Sequence, residues 1–96
     1  MTQYILYAWD GVDGKAHERR IAARPAHLKQ AAKLKQSRNL LTGGAILNEK
    51  KEMIGSMMLV QFENKQELES CLSIEPYIIG NVWQKWECHP FQVASV

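Results

Sequence analysis

No stretch of the sequence approaches the ~20 consecutive apolar residues that a membrane-spanning helix needs. Cysteine is scarce: Cys71 and Cys88 are the only two, too few for the disulfide framework of a small secreted fold. Cys88 is followed by His89, but no second ligand cluster exists and neighbours on a strand point to opposite faces, which argues against zinc. An excess of one charge is also missing. Twelve basic and ten acidic side chains leave a net +2, too balanced to call for nucleic acid or an anionic membrane as partner. The opening Met1-Thr2-Gln3-Tyr4 lacks the charged region and the small-residue cleavage site of a signal peptide, so the expected location is cytoplasmic. Internal repeats, low-complexity tracts and metal or nucleotide motifs are absent, and no cofactor is expected.

What is present is ordinary globular material, with 46% hydrophobic and 23% charged residues. A chain of 96 residues fits one domain, read here as 1–96. At this length only about 60–70% of the unfolded surface is buried. One core fits, with little room for an enclosed pocket, and pairing with a second copy would deepen one.

Tyr4 to Trp9 is a short aromatic and branched run that reads as a buried strand. It stops at Asp10-Gly11-Val12-Asp13-Gly14, where two Asp-Gly steps give turn chemistry. Ala16 to Ser37 is rich in helix formers, interrupted by Pro25. Proline suits a first helical turn and not an interior, so the spacing predicts one helix near Ala16–Ala22 and another from Pro25 to Ser37. Leu40 to Leu47 is a strand holding Gly43 and Gly44, the composition of a bulge or of a close approach to the backbone. Met53 to Phe62 is the strongest strand. Asn64 is a helix N-cap with Glu67 three residues on, opening a helix to Ser73. Glu75-Pro76-Tyr77 breaks the chain, and Val82 to Val93 is a last strand.

The order β-α-β-β-α-β is the α+β, ferredoxin-like arrangement: an antiparallel sheet with both helices on one face. Met57, Leu59, Trp83 and Trp86 are expected to make the other face apolar, which favours a homodimer. Cys71 and Cys88 are expected to be free packing thiols.

For chemistry, Asp10 ends the first strand and His27 follows two residues after Pro25. A carboxylate beside an imidazole fixes its tautomer, so Asp10 and His27 form a candidate acid–base pair. Arg20 and Arg24 are four apart and share a helical face if Pro25 does not break the turn. With the free N–H groups at the start of a second helix they would hold a carboxylate, phenolate or phosphate. Gly43 and Gly44 would let a ligand approach the second strand. Each feature also has a plain reading: a surface histidine, a turn aspartate, solvated arginines, a bulge.

These segments resemble the YCII-related (YciI-like) family of small α+β proteins. The matching pieces are Tyr4 to Asp10, Arg20-x-x-x-Arg24-Pro25-Ala26-His27-Leu28, Leu40-Leu41-Thr42-Gly43-Gly44-Ala45, Glu75-Pro76-Tyr77, Gly80-x-Val82 and Pro90-Phe91. The resemblance implies a ferredoxin-like fold that dimerises into a shared α/β barrel. It also implies a pocket whose acid–base pair would here be His27 and Asp10. One branch of the family looks like a dehydrochlorinase of chlorinated aromatics, which implies cofactor-free lyase or isomerase chemistry on a small molecule. A non-catalytic dimeric module binding a small metabolite is the alternative. The sequence departs from the family in having Glu75 where Asp usually precedes Pro-Tyr, in Gly44-Ala45 where Gly-Pro is common, and in a short second hairpin.

Overall fold

The computed structural model describes residues 1–96. Its elements are β1 (Thr2–Asp10), α1 (Ala16–Gln36), β2 (Leu40–Leu47), β3 (Met53–Phe62), α2 (Lys65–Ser73), α3 (Pro76–Ile79) and β4 (Trp83–Phe91). The four strands form one sheet in the order β2-β3-β1-β4. Every neighbouring pair is antiparallel, which is the ferredoxin-like topology the element order predicts.

Period-two alternation sorts the strand residues onto two faces. Tyr4, Leu6 and Ala8 of β1 pair with Val60, Met58 and Ser56 of β3. The apolar ones join Phe62, Leu34 from α1, Leu68 from α2, Tyr77 from α3, Val82 and Trp83 in one core, so the helices lie on that side. Cys71 and Cys88 are free thiols packed against the same core. Burial pushes both thiols above their ordinary range.

The opposite face carries Tyr7 and Trp9, 37% and 41% exposed, with Ile5, Met57, Leu59 and Phe91 on the same side by register. The expected apolar surface therefore exists, but its tryptophan is Trp9. Trp83 is 1% exposed in the core, and Trp86 pairs with Ala8 on the helix side. A register shift between Trp9 and Asp10 sets this orientation of β4.

The break expected at Pro25 does not occur: α1 runs unbroken for 21 residues with Pro25 inside it. Proline cannot donate to the carbonyl four residues back, here that of Ile21. Ile21 is half-exposed, so water can take that carbonyl. Arg20 before the proline and His27 after it are each fastened to other elements, and these tertiary contacts outweigh the local preference. Arg38, in the left-handed region at φ 65°, turns the chain out of the helix region towards β2.

The bulge expected at Gly43-Gly44 is also displaced. The β2–β3 register slips between Leu40 and Thr42 and again between Ile46 and Leu47, while Gly43 and Gly44 pair regularly with Met58 and Met57. Asn64 caps α2 as expected, its side chain accepting the Glu67 N–H at 2.9 Å. No helix is long and apolar enough to cross a membrane.

Candidate functional site

Because α1 is continuous, Arg20, Arg24, His27 and Leu28 fall on one stripe, at spacings of four, seven and eight residues. That stripe faces the sheet at its β2 edge. There the helix-side residues of β2 include Gly43, opposite Met58, and Ala45, opposite Ser56. Small side chains at these positions leave a gap between helix and sheet. The gap is a cleft of about 140 Å³, bordered by the α1 stripe, Gly43, Gly44, Ser56 and Tyr77 among others. A cavity of about 150 Å³ accepts a benzene ring, so the cleft is of ring size.

His27 and Tyr77 border the cleft, and Glu75 holds both from outside it. Glu75 is the N-cap of α3, and its Oε2 accepts the Tyr77 N–H at 2.7 Å. The same carboxylate faces His27, with Nδ1 at 3.0 Å from Oε1 and 2.9 Å from Oε2. A carboxylate only accepts, so Nδ1 carries the hydrogen, and in the neutral ring Nε2 is the bare nitrogen. The Tyr77 ring stacks on the imidazole, centroids 3.9 Å apart and planes 10° from parallel, and Trp83 meets it edge-on at 5.9 Å. Arg20 and Ser56 adjoin this stack. The Arg20 guanidinium lies 4.7 Å over the Tyr77 ring. Burial raises the Tyr77 hydroxyl above its ordinary range, with Arg20 and Arg24 pulling the other way.

The expected contact between Asp10 and His27 is not formed. Both Asp10 oxygens accept from Arg20 Nη1, at 2.9 and 3.1 Å, and Arg20 Nη2 donates to Ser56 Oγ at 3.0 Å. The reason is the unbroken helix. His27 lies seven residues beyond Arg20, about 10 Å further along the axis, so Arg20 is the helix residue that meets the end of β1. The same continuity removes the free N–H groups that a helix starting at Pro25 would have offered. Asp10 does not border the cleft. Arg20 does, but its guanidinium is committed to protein partners, and its Nε is the one buried polar side-chain atom without any. Arg24 has no ion pair and is the free cation of the cleft. Gly43 and Gly44 border it.

Sequence reasoning missed Ser56 altogether and left Glu75 without a partner. The signal for Glu75 was Glu-Pro-Tyr itself, an N-cap acid followed by proline at the first helical position. Ser56 carried no signal beyond a small polar residue inside an apolar strand. No three His, Cys, Asp or Glu side chains come together as a metal site.

A ferredoxin-like sheet with a ring-sized cleft and a carboxylate-held histidine defines the class of protein. The profile of the YCII-related domain matches residues 2–92, and the chain belongs to that family. It shares 27% identity over 95 residues with the protein YciI of Escherichia coli O6:H1, covering 93% of this chain and 95% of that one. A protein of Haemophilus influenzae shares 30% identity over 95 residues, with the same coverage. The same fold occurs in 5-chloro-2-hydroxyhydroquinone dehydrochlorinase (TftG) from Burkholderia phenoliruptrix AC1100, solved with 2,5-dihydroxybenzoquinone. That match has a TM-score of 0.82, 22% identity, and covers 96% of this chain and 95% of that one. A dimeric ferredoxin-like protein from Jannaschia sp. CCS1 matches with a TM-score of 0.56 and 15% identity, covering 97% of this chain and all (100%) of the other.

Proposed function

We propose that the cleft binds a small, flat, oxygen-bearing ring and that His27 moves a proton on it, held in position by Glu75. The observation that carries this reading is the His27–Glu75 pair beside a ring-sized cleft, which leaves Nε2 as the acceptor for a substrate proton. Arg24 would balance negative charge appearing on the ring. A base and a nearby cation suit an elimination or isomerisation in which a ring proton leaves to Nε2 and, in an elimination, a leaving group departs as an anion. The fold shared with TftG supports an aromatic ligand of this kind. Asp10 enters as the buried counter-charge that holds Arg20, in place of the direct acid–base role expected from the sequence.

The test is a turnover screen against hydroxylated and halogenated monocyclic aromatics. His27→Ala is expected to lower the rate of an active substrate by about 10²–10⁴-fold, the usual contribution of a positioned base. Binding that persists with no turnover of any such ring would assign the cleft to ligand carriage instead.

The same reading pairs two copies through their helix-free faces. Ile5, Tyr7, Trp9, Met57 and Leu59 give that face an apolar centre. The dimeric ferredoxin-like relatives of the fold support the pairing.

A further inference from the structure

Ser56 lies on β3 between Ala8 of β1 and Ala45 of β2, and it is 2% exposed at the floor of the cleft. Its oxygen accepts from Arg20 Nη2 at 3.0 Å and from Trp83 Nε1 at 3.2 Å. A serine oxygen has two lone pairs, and guanidinium and indole nitrogens only donate. These two bonds therefore occupy both lone pairs, and neither can reverse. The hydroxyl hydrogen, in contrast, finds no acceptor in the chain. We propose that Ser56 is a donor-only anchor, set by Arg20 and Trp83, that selects ligands presenting an acceptor oxygen, carbonyl or phenolate, to the cleft floor.

The other groups around the cleft fit that selection. Arg24 is a donor without an ion pair, and no carboxylate borders the cleft. The nearby carboxylates are turned away, Asp10 to Arg20 and Glu75 to His27 and the Tyr77 N–H. A ring with donors alone could donate to His27 Nε2 but would have nothing to offer Ser56 or Arg24. Asp10 thereby gains a positioning role, because it fixes the guanidinium that fixes the serine.

This inference rests on the proposed function for where the ligand sits, and it adds the ligand's chemistry. Its test compares two probes of one size in alkaline buffer: 4-nitrophenolate, which presents an acceptor oxygen anion, and 4-nitroaniline, which presents an N–H donor at the same place. Calorimetry on the wild-type protein is expected to show the phenolate binding at least about tenfold more tightly. Ser56→Ala is expected to remove about tenfold of phenolate affinity and leave the aniline unchanged. The alanine leaves two buried donors unpaired, so the wild-type preference is a readout that does not depend on the variant's stability. Equal binding of the two probes by the wild type overturns the proposal, as does a folded Ser56→Ala protein that binds phenolate undiminished. Binding and turnover are read separately on the wild-type protein, so a phenolate preference that depends on Ser56 with no turnover of any ring would sink only the proposed reaction.

Discussion

Glu75 holds His27 and the start of α3 with one carboxylate, accepting the Tyr77 N–H at 2.7 Å and facing Nδ1 at 2.9 Å. The helix cap and the histidine clamp are thus one object. Anything that moves the Glu-Pro-Tyr turn moves the imidazole, and the Tyr77 ring stacked on it moves too. The Asp10–Arg20 pair works in parallel at the other end of the stripe, where it holds Ser56 and lies over the Tyr77 ring.

That second pair gives the first stability prediction. The Arg20 and Asp10 side chains are 3% and 5% exposed. Removing one partner strands a buried charge, so Arg20→Ala should cost about 3–5 kcal/mol. Asp10→Asn, which keeps the shape and loses the charge, should cost less. Urea unfolding of both variants checks the order.

The two glycines of β2 should behave oppositely. A Cβ on Gly43 would stand 2.8 Å from the Met57 carbonyl oxygen, a backbone atom that cannot easily retreat, whereas a Cβ on Gly44 meets nothing within 4 Å. Gly44→Ala should be within about 0.5 kcal/mol of wild type, and Gly43→Ala should cost about 1–3 kcal/mol. Gly43→Ala should also weaken ligand binding, because Gly43 faces the helix side of the sheet. Thermal melts and ligand titrations of the pair decide it.

Acid should loosen the β1–α1 turn late. Hydrogen bonds from Arg19, at 2.6 and 2.9 Å, and from the Lys15 N–H hold the Asp13 carboxyl well below the usual carboxylate range. A depressed folded value means the stabilisation is complete above about pH 4, the unfolded value, and is lost as pH falls through the lower folded one. Amide exchange of residues 11–16 should therefore stay protected down to about pH 4 and rise in stronger acid. In Arg19→Gln that rise should begin at higher pH.

The helix-free face makes a fourth prediction. Tyr7 and Trp9 expose large apolar area on it. Trp9→Lys should shift the protein to monomer in sedimentation velocity without unfolding it, because Trp9 lies outside the core. A wild type that sediments as a monomer at micromolar concentration contradicts the pairing.

The sequence patterns carried the sheet and the start of α2, because strand alternation and the cap at Asn64 are local signals, whereas Glu75 read only as a break. They failed where a distant contact outweighed a local rule. Pro25 reads as a helix boundary, yet Arg20 and His27 are fastened on either side of it, and the helix holds. Once the helix is continuous, the partner of each side chain changes: Arg20 takes Asp10, and His27 takes Glu75, 48 residues away in the chain. The components of the cleft His27, Arg24, Gly43 and Gly44 were legible from type and spacing. Their pairing was not, because it depends on seven residues of helical rise. Ser56 was illegible for a different reason. A serine on a strand is unremarkable until two donors from other elements converge on its oxygen.

The most direct measurement of the central claim is the tautomer of His27, read by ¹⁵N NMR of the ring nitrogens above the pH at which it is charged. Glu75 predicts a hydrogen on Nδ1 and a bare Nε2, with the signature lost in Glu75→Ala. A wild-type ring that carries its hydrogen on Nε2 would leave no acceptor for a substrate proton and would contradict the account.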